Sequence, residues 1–466
     1  MGFSSQKQTT QDLLFLLPVT LFFLLYKLGS GSLASWDEAL YASVAKEIVR
    51  GGDWFHLRLD DQLWFDKPPL GIWMTAFFYK LFGVNEFSAR FFSALCGAGT
   101  VIMTYFLGRQ LLNRWTGFIG ALVLLSSSHF ILFARFGMLD APLTFFMTLA
   151  LYFFWLGQGK NRYLIFSGIA IGLAVMTKSF AAFLVFPVIW GYACFSGRLD
   201  VLGRSSYWIG VMIAVAIALP WNLYELIAHH DLFMNSAVTQ HVFARTFRAL
   251  DGHEGNWYFY IRVLVNKYHP WVLPAVVTAP FFLFKTLRDR GNKEILFLTV
   301  WMFAIFGSVT LIRTKLSWYL LPAYPALSLS VAYALSRLFR EKYALFVRLM
   351  FIVIMALHVP YSHIFDYDYS RLIKGIAPAV RAGAPETKAL ALYNYHESPA
   401  VSFYAGRGSV YLDSPEALNA RIKEGGLQFL IRDVDLESLG GAAFLAKRGL
   451  EVKASFETIR FVTSKS

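Results

Sequence analysis

Apolar stretches of about 18 to 22 residues recur from Asp12 to His363, separated by short polar connections. Each is about long enough to cross a hydrocarbon core of roughly 30 Å as a helix rising about 1.5 Å per residue. A segment in lipid must satisfy its own backbone hydrogen bonds, so helices are the expected form. The pattern predicts spans near 12–29, 88–108, 114–134, 139–158, 162–177, 179–196, 206–223, 269–286, 294–312, 316–338 and 345–363, about eleven in all. Two long loops interrupt it, about 30–87 and 224–268. Within the first, Leu40, Val44, Ala45 and Ile48 recur at helical spacing between Ser35 and Arg50, which predicts an amphipathic helix on the membrane surface.

The pattern changes near Asp366. Charges become frequent, and short apolar runs at Ala389–Tyr393, Ser409–Leu412 and Phe429–Ile431 alternate with a predicted helix over Ser414–Glu424. The expected division is a transmembrane part, 1–365, and a small α/β domain, 366–466.

Composition supports lipid as the main solvent: 56% of residues are hydrophobic and only 16% charged. The net charge of +13 would suggest nucleic acid in a soluble protein, but no basic segment interleaved with exposed aromatics stands out. The basic residues fall in alternate connections instead: Lys7, Arg109 and Arg114, Lys160 and Arg162, Arg198 and Arg204, Lys285 to Lys293, and Arg337 to Lys342. With a cytoplasmic N-terminus and an odd number of spans, all of these face the cytoplasm, and the long loops and the C-terminal region face the other side. Cys96 and Cys194 both lie in predicted spans, which excludes a disulfide framework. The run Leu13–Tyr26 lacks a small-residue cleavage site and reads as a retained first helix.

The non-cytoplasmic face gathers the candidate chemistry. Asp37 and Glu38 follow the first span; the competing reading is a capping box of Ser35 with Glu38. Asp140 opens the fourth span, where it could equally serve as an N-cap ahead of Pro142. Two carboxylates on one face could serve as a base and its orienting partner. In Asp66-Lys67-Pro68-Pro69-Leu70 the tandem proline stiffens an extended lead-in to the apolar segment Leu70–Phe82, and Lys67 sits where its ammonium can meet a lipid phosphate or simply snorkel to headgroups. Arg135, Lys178, Arg245, Arg262, Arg313 and Lys315 add cations that suit a phosphate leaving group. Asp66 with His241 or His253 is a candidate pair for a divalent metal, although the spacing is not diagnostic.

Several runs together resemble the bacterial members of the protein O-mannosyltransferase superfamily, in particular the lipid A aminoarabinose transferases. They are Asp37–Ala42 (D-E-A-L-Y-A), Gly52–Trp54, Phe65–Trp73, Met138–Asp140, Thr177–Ser179, His253–Tyr260 and Tyr319–Ala326, in family order. The resemblance implies a C-type glycosyltransferase fold in a bacterial inner membrane. It implies a polyprenyl-phosphate sugar donor and a hydroxyl acceptor such as a lipid-linked glycan. It further implies a base at Asp37, a second acid at Asp140 and a phosphate contact at Lys67; beside these, Glu38, Tyr41, Lys178, Arg245, Arg313, Lys315 and Tyr319 are the expected substrate contacts. His241 and Arg245 match a loop histidine and arginine of the family. Two positions depart from it: Leu40 stands where arginine is typical and Asp66 where glutamate is, so lipid A as acceptor is not implied. The alternative, a lipid or sugar transporter, predicts ionisable residues deep within spans and an internal repeat. This sequence puts its acids at one interface instead.

Overall fold

The computed structural model describes residues 3–248, 252–289, 291–361, 365, 367–383, 389–395, 398–424 and 427–465. From the N-terminus, α1 (Phe3–Leu25) and α2 (Asp37–Gly51) precede a minimal hairpin of β1 (Arg58–Leu59) and β2 (Gln62–Leu63). Then come α3 (Leu70–Phe82), α4 (Glu86–Leu111), α5 (Arg114–Leu125), α6 (Ser128–Arg135), α7 (Asp140–Gly157), α8 (Arg162–Lys178), α9 (Val185–Phe195) and α10 (Ser205–Ala228). The short α11 (His230–Phe233), α12 (Arg245–Phe247) and α13 (Phe259–Lys267) lead into α14 (Val272–Arg288), α15 (Lys293–Leu311), α16 (Tyr324–Leu338) and α17 (Ala344–Tyr361). The C-terminal stretch runs α18 (Arg371–Gly383), β3 (Leu390–Tyr393), α19 (Ser398–Ala405), β4 (Ser409–Leu412), α20 (Pro415–Lys423), β5 (Gln428–Arg432), α21 (Asp433–Ser438), α22 (Gly441–Lys447), β6 (Leu450–Phe456) and β7 (Ile459–Ser464).

Among the described residues, six helical runs are long and apolar enough to cross a membrane, or seven if the bent pair α5–α6 is one span. One of the six joins α8 to α9 through a 3-10 turn at Ser179–Leu184. The predicted single span 114–134 is bent by 66° where α5 gives way to α6. The predicted second loop is largely helical: α11 to α13 and an eleven-residue π-helix, Met234–Ala244, lie within it.

The chain forms two compact units: Met1–Leu28, Phe65–Met74 and Arg90–Phe365 in the first, and Gly29–Trp64, Thr75–Ala89 and Asp366–Ser466 in the second. A division at 365/366 was expected. The units are instead discontinuous, because most of the first long loop folds with the last hundred or so residues.

In the first unit, α8 packs against both α7 and α10. A Cβ on Gly168 would lie 2.1 Å from the Gly210 carbonyl oxygen, and one on Gly210 would lie 2.5 Å from that of Leu164. Lipid tails are as apolar as leucine, so helices associate in a bilayer through close backbone contact, which small residues permit. The second unit carries a five-stranded sheet in the order β4-β3-β5-β7-β6, parallel across β4-β3-β5 and antiparallel from β5 to β6. Its apolar core joins Tyr393, Phe429, Ile431 and Val462 to Leu418 of α20, whose start is capped by the Ser414 hydroxyl accepting from Ala417 N–H at 3.1 Å.

Candidate functional site

The helical pair α7–α8 is antiparallel, with 18 residues before the connection at 158–161 and 17 after it. Equal lengths bring the first residue of α7 level with the last of α8. Those residues are Asp140 and Lys178, and the ammonium lies 2.7 Å from both carboxylate oxygens. Both side chains are buried, at 2% and 7% exposure. Asp140 is therefore not the N-cap that the sequence allowed: Leu139 occupies that position, and the carboxylate turns to Lys178. The Lys178 ammonium also lies 5.5 Å from the centre of the Tyr319 ring. Directly after it, Ser179 adopts φ of +34°, a strained conformation for a residue with a Cβ. The chain leaves α8 there and turns back over the site.

Asp66 and Lys67 enter the same place. Pro68 and Pro69 hold the chain out of helix until α3 begins at Leu70, as their geometry predicts. A Cβ on Gly71 would lie 2.2 Å from Leu139 Cδ2, so a larger residue there would oblige the Leu139 side chain at the start of α7 to move. Asp66 Oδ1 accepts from the Ser236 hydroxyl at 2.6 Å, and Lys67, buried, donates to the Asp66 carbonyl at 3.0 Å. Asp66, Lys67, Asp140, Lys178, Ser179 and Tyr319 line a cleft of about 180 Å³, whose apolar wall includes Leu143, Phe180, Leu184 and Ile312. Two acids and two lysines balance in formal charge, so an anion entering the cleft meets cations already held in place rather than a free positive field.

Other predicted cations have different tasks. Lys315 directs its ammonium to the carbonyls of Val309 (3.2 Å), Thr310 and Ile312, closing the C-terminal end of α15. Burial, with Arg313 nearby, holds its pKa below the usual lysine value. Arg313 is exposed, and its backbone N–H donates to Thr246 at 3.1 Å. Arg135 caps the end of α1 through the Phe23 and Leu24 carbonyls, both at 3.0 Å, and Arg262 donates to the Tyr258 hydroxyl at 2.6 Å. The side chains of His241 and Arg245 lie outside the described residues. Among the described residues no three His, Cys, Asp or Glu side chains gather as a metal ion requires.

Asp37, Glu38 and Tyr41 belong to the second unit. Asp37 is half-buried as the first residue of α2. The expected capping box does not form: the N-cap position falls to Trp36, without a side-chain cap, and buried Glu38 reaches further back, accepting from Ala34 N–H at 2.7 Å. Tyr41 is buried against Trp64, ring centres 6.1 Å apart.

Sequence reasoning put Asp140 and Lys178 on one face without pairing them; their equal distance from residue 159 was the available signal. Ser236 was missed, and a serine in a polar stretch gives no signal of its own.

Residues 66–224 match the family described as Dolichyl-phosphate-mannose-protein mannosyltransferase. An undecaprenyl phosphate-alpha-4-amino-4-deoxy-L-arabinose arabinosyl transferase of Pseudomonas fluorescens is 32% identical over 326 residues, which are 68% of this chain and 58% of that protein. The chain spans about three fifths of the length of the curated relatives it matches. Among solved structures, ArnT from Cupriavidus metallidurans bound to undecaprenyl phosphate superposes with a TM-score of 0.78 at 19% identity, covering 97% of this chain and 98% of that one. An Archaeoglobus fulgidus oligosaccharyltransferase gives 0.66 at 11% identity, over 94% and 72%. At these identities the likeness establishes the fold, which is the C-type glycosyltransferase architecture.

Proposed function

Because the chain belongs to the superfamily of protein O-mannosyltransferases and aminoarabinose transferases, we propose that it is an inverting membrane glycosyltransferase using a polyprenyl-phosphate sugar. The acceptor is a hydroxyl on a lipid-linked glycan, another glycan or a protein. Asp37 takes the proton of that hydroxyl, and the oxygen attacks the anomeric carbon. The bond from that carbon to the phosphate oxygen breaks, and its electron pair leaves with the lipid phosphate.

The cleft lined by Asp66, Lys67, Asp140, Lys178 and Tyr319 is the observation that carries this reading. An anion leaving into a site whose cations are already oriented needs little reorganisation and no general acid. Lys67 is the direct phosphate contact. Asp140 holds Lys178 at the edge of the cleft, a narrower task than orienting the acceptor. Arg313 and Lys315 raise the positive potential at the same end of the first unit, and Arg245 is a further proposed phosphate contact. Asp66 and His241 remain the pair that a divalent metal would use, with Asp66 already oriented by Ser236.

The full reading has about eleven spans, a cytoplasmic N-terminus and an extracytoplasmic C-terminal region. It is supported by the Arg198 and Arg204 contacts to Gln158 and Asn161, which gather basic connections at the end of the first unit opposite the cleft. The test is transfer from a radiolabelled polyprenyl-phosphate sugar pool by membranes carrying wild type, Asp37→Asn or Asp140→Asn. Label reaching an acceptor only with wild type, all three being folded and inserted, is the expected result. Equal transfer by the variants would overturn the residue assignment, and no transfer from any donor would favour a transporter.

A further inference from the structure

What holds Asp37 in place is built within the second unit. The segment 29–36 that leads to Asp37 is neither helix nor strand, so its backbone N–H groups need other partners. Three successive ones have them. Ser32 N–H donates to Asp368 at 2.8 Å, Leu33 N–H to the Tyr404 hydroxyl at 2.8 Å, and Ala34 N–H to Glu38 at 2.7 Å. The Tyr404 hydroxyl donates onward to Glu86 Oε1 at 3.1 Å, and that carboxylate pairs with Lys374 at 2.5 Å. Tyr404 is buried at 9% exposure, so its hydroxyl is an interior junction between an amide and a charged pair.

The far side of α2 is held by the same helix that carries Tyr404. Lys46 Nζ donates to the Phe403 carbonyl at 2.7 Å, close to the C-terminal end of α19 where a cation is favoured. Ser43 Oγ, which donates to the Ala39 carbonyl within α2 at 2.8 Å, also lies 3.2 Å from the Pro399 carbonyl, and Ser402 Oγ donates to Asp60 at 3.0 Å. The chain is thus gripped both before and after Asp37, mostly by residues more than 300 positions later.

Resting on the reading of Asp37 as the base, we infer that Tyr404 is a positioning residue for it and that the C-terminal region sets where Asp37 lies within the second unit. The phenol fixes Leu33, four residues ahead of Asp37, while α19 fixes α2 behind it. A displacement of about 1 Å in a reacting group can cost up to about a hundredfold in rate, so loss of one hydroxyl at this junction reaches the chemistry without touching substrate.

The experiment uses the full chain in proteoliposomes, with transfer rates expressed per folded molecule. Tyr404→Phe is expected to lower kcat about tenfold, leave the donor KM within about twofold, and speed amide exchange at 32–38. Glu86→Lys and Lys374→Glu each lower kcat, and the double exchange restores much of it. Ser438→Ala, in the same unit but bonded only within α21 to the Asp435 carbonyl at 2.7 Å, leaves kcat unchanged. The inference is overturned if Tyr404→Phe turns over within about twofold of wild type while Asp37→Asn is inactive, or if only the amount of folded protein falls. If Asp37→Asn itself transfers like wild type, the assignment of the base fails first and the inference fails with it.

Discussion

Each end of the first unit buries an aspartate against cations, and the two differ in what lies beside the charge. At one end Asp12, with 1% side-chain exposure, accepts from Arg114 at 2.6 Å and from the Tyr105 hydroxyl at 3.1 Å, with Arg348 at 3.5 Å. Arg114 also pairs with Glu341, and the neighbouring Trp115 indole donates to the Phe339 carbonyl at 2.6 Å. These contacts bind α1, α4, α5 and α17 to one another and to the turn after α16. At the other end, the Asp140–Lys178 pair borders a cleft. Burial of an ion pair is therefore no sign of chemistry by itself; what distinguishes the second pair is a space that a substrate can enter.

Five substitutions test that contrast. Asp12→Asn leaves two arginines facing a neutral side chain and should lower stability by about 3–5 kcal/mol. Thermal unfolding in detergent reads the loss, while turnover per folded molecule stays within about twofold. Asp140→Asn, which leaves a buried lysine unpaired, should cost stability to a similar degree and in addition cut transfer per folded molecule about a hundredfold, because Lys178 loses the partner that orients it. Lys178→Met should match it, and the double variant should be little worse than either. If Asp12→Asn reduces turnover as much as Asp140→Asn, the two ends are not functionally different. Lys67→Met should raise the donor KM about tenfold, read by varying donor concentration in vesicles. Ser236→Ala, which removes one hydrogen bond from Asp66, should cost about fivefold in kcat/KM, the smallest change expected.

Much of this was legible in the sequence. The apolar runs at 390–393 and 428–432 are strands inside the sheet of the second unit, where burial erases alternation but leaves a short run bounded by polar residues, while the run at 409–412 is its edge strand, half exposed. The start of α3 at Leu70 followed from two prolines. The bend between α5 and α6 did not, because Ser126 and Ser127 interrupt hydrophobicity too briefly to show in a window of span length. The grip of α19 on α2 was hidden for another reason: its bonds use backbone carbonyls of Pro399 and Phe403, which any residue could supply. In the cleft, the motifs named Asp66, Lys67, Asp140, Lys178 and Tyr319, but only coordinates showed that Asp140 is committed to Lys178 and Lys315 to the end of α15.

The matched lengths of α7 and α8 make that hairpin a caliper. With 18 and 17 residues, its arms reach roughly 26 Å from the connection, close to the hydrocarbon thickness of a bilayer. One residue inserted in either arm would swing its terminal side chain through about 100° and part the carboxylate from the ammonium. A change in one arm must therefore be answered in the other, and the thickness of the membrane becomes part of the specification of the site.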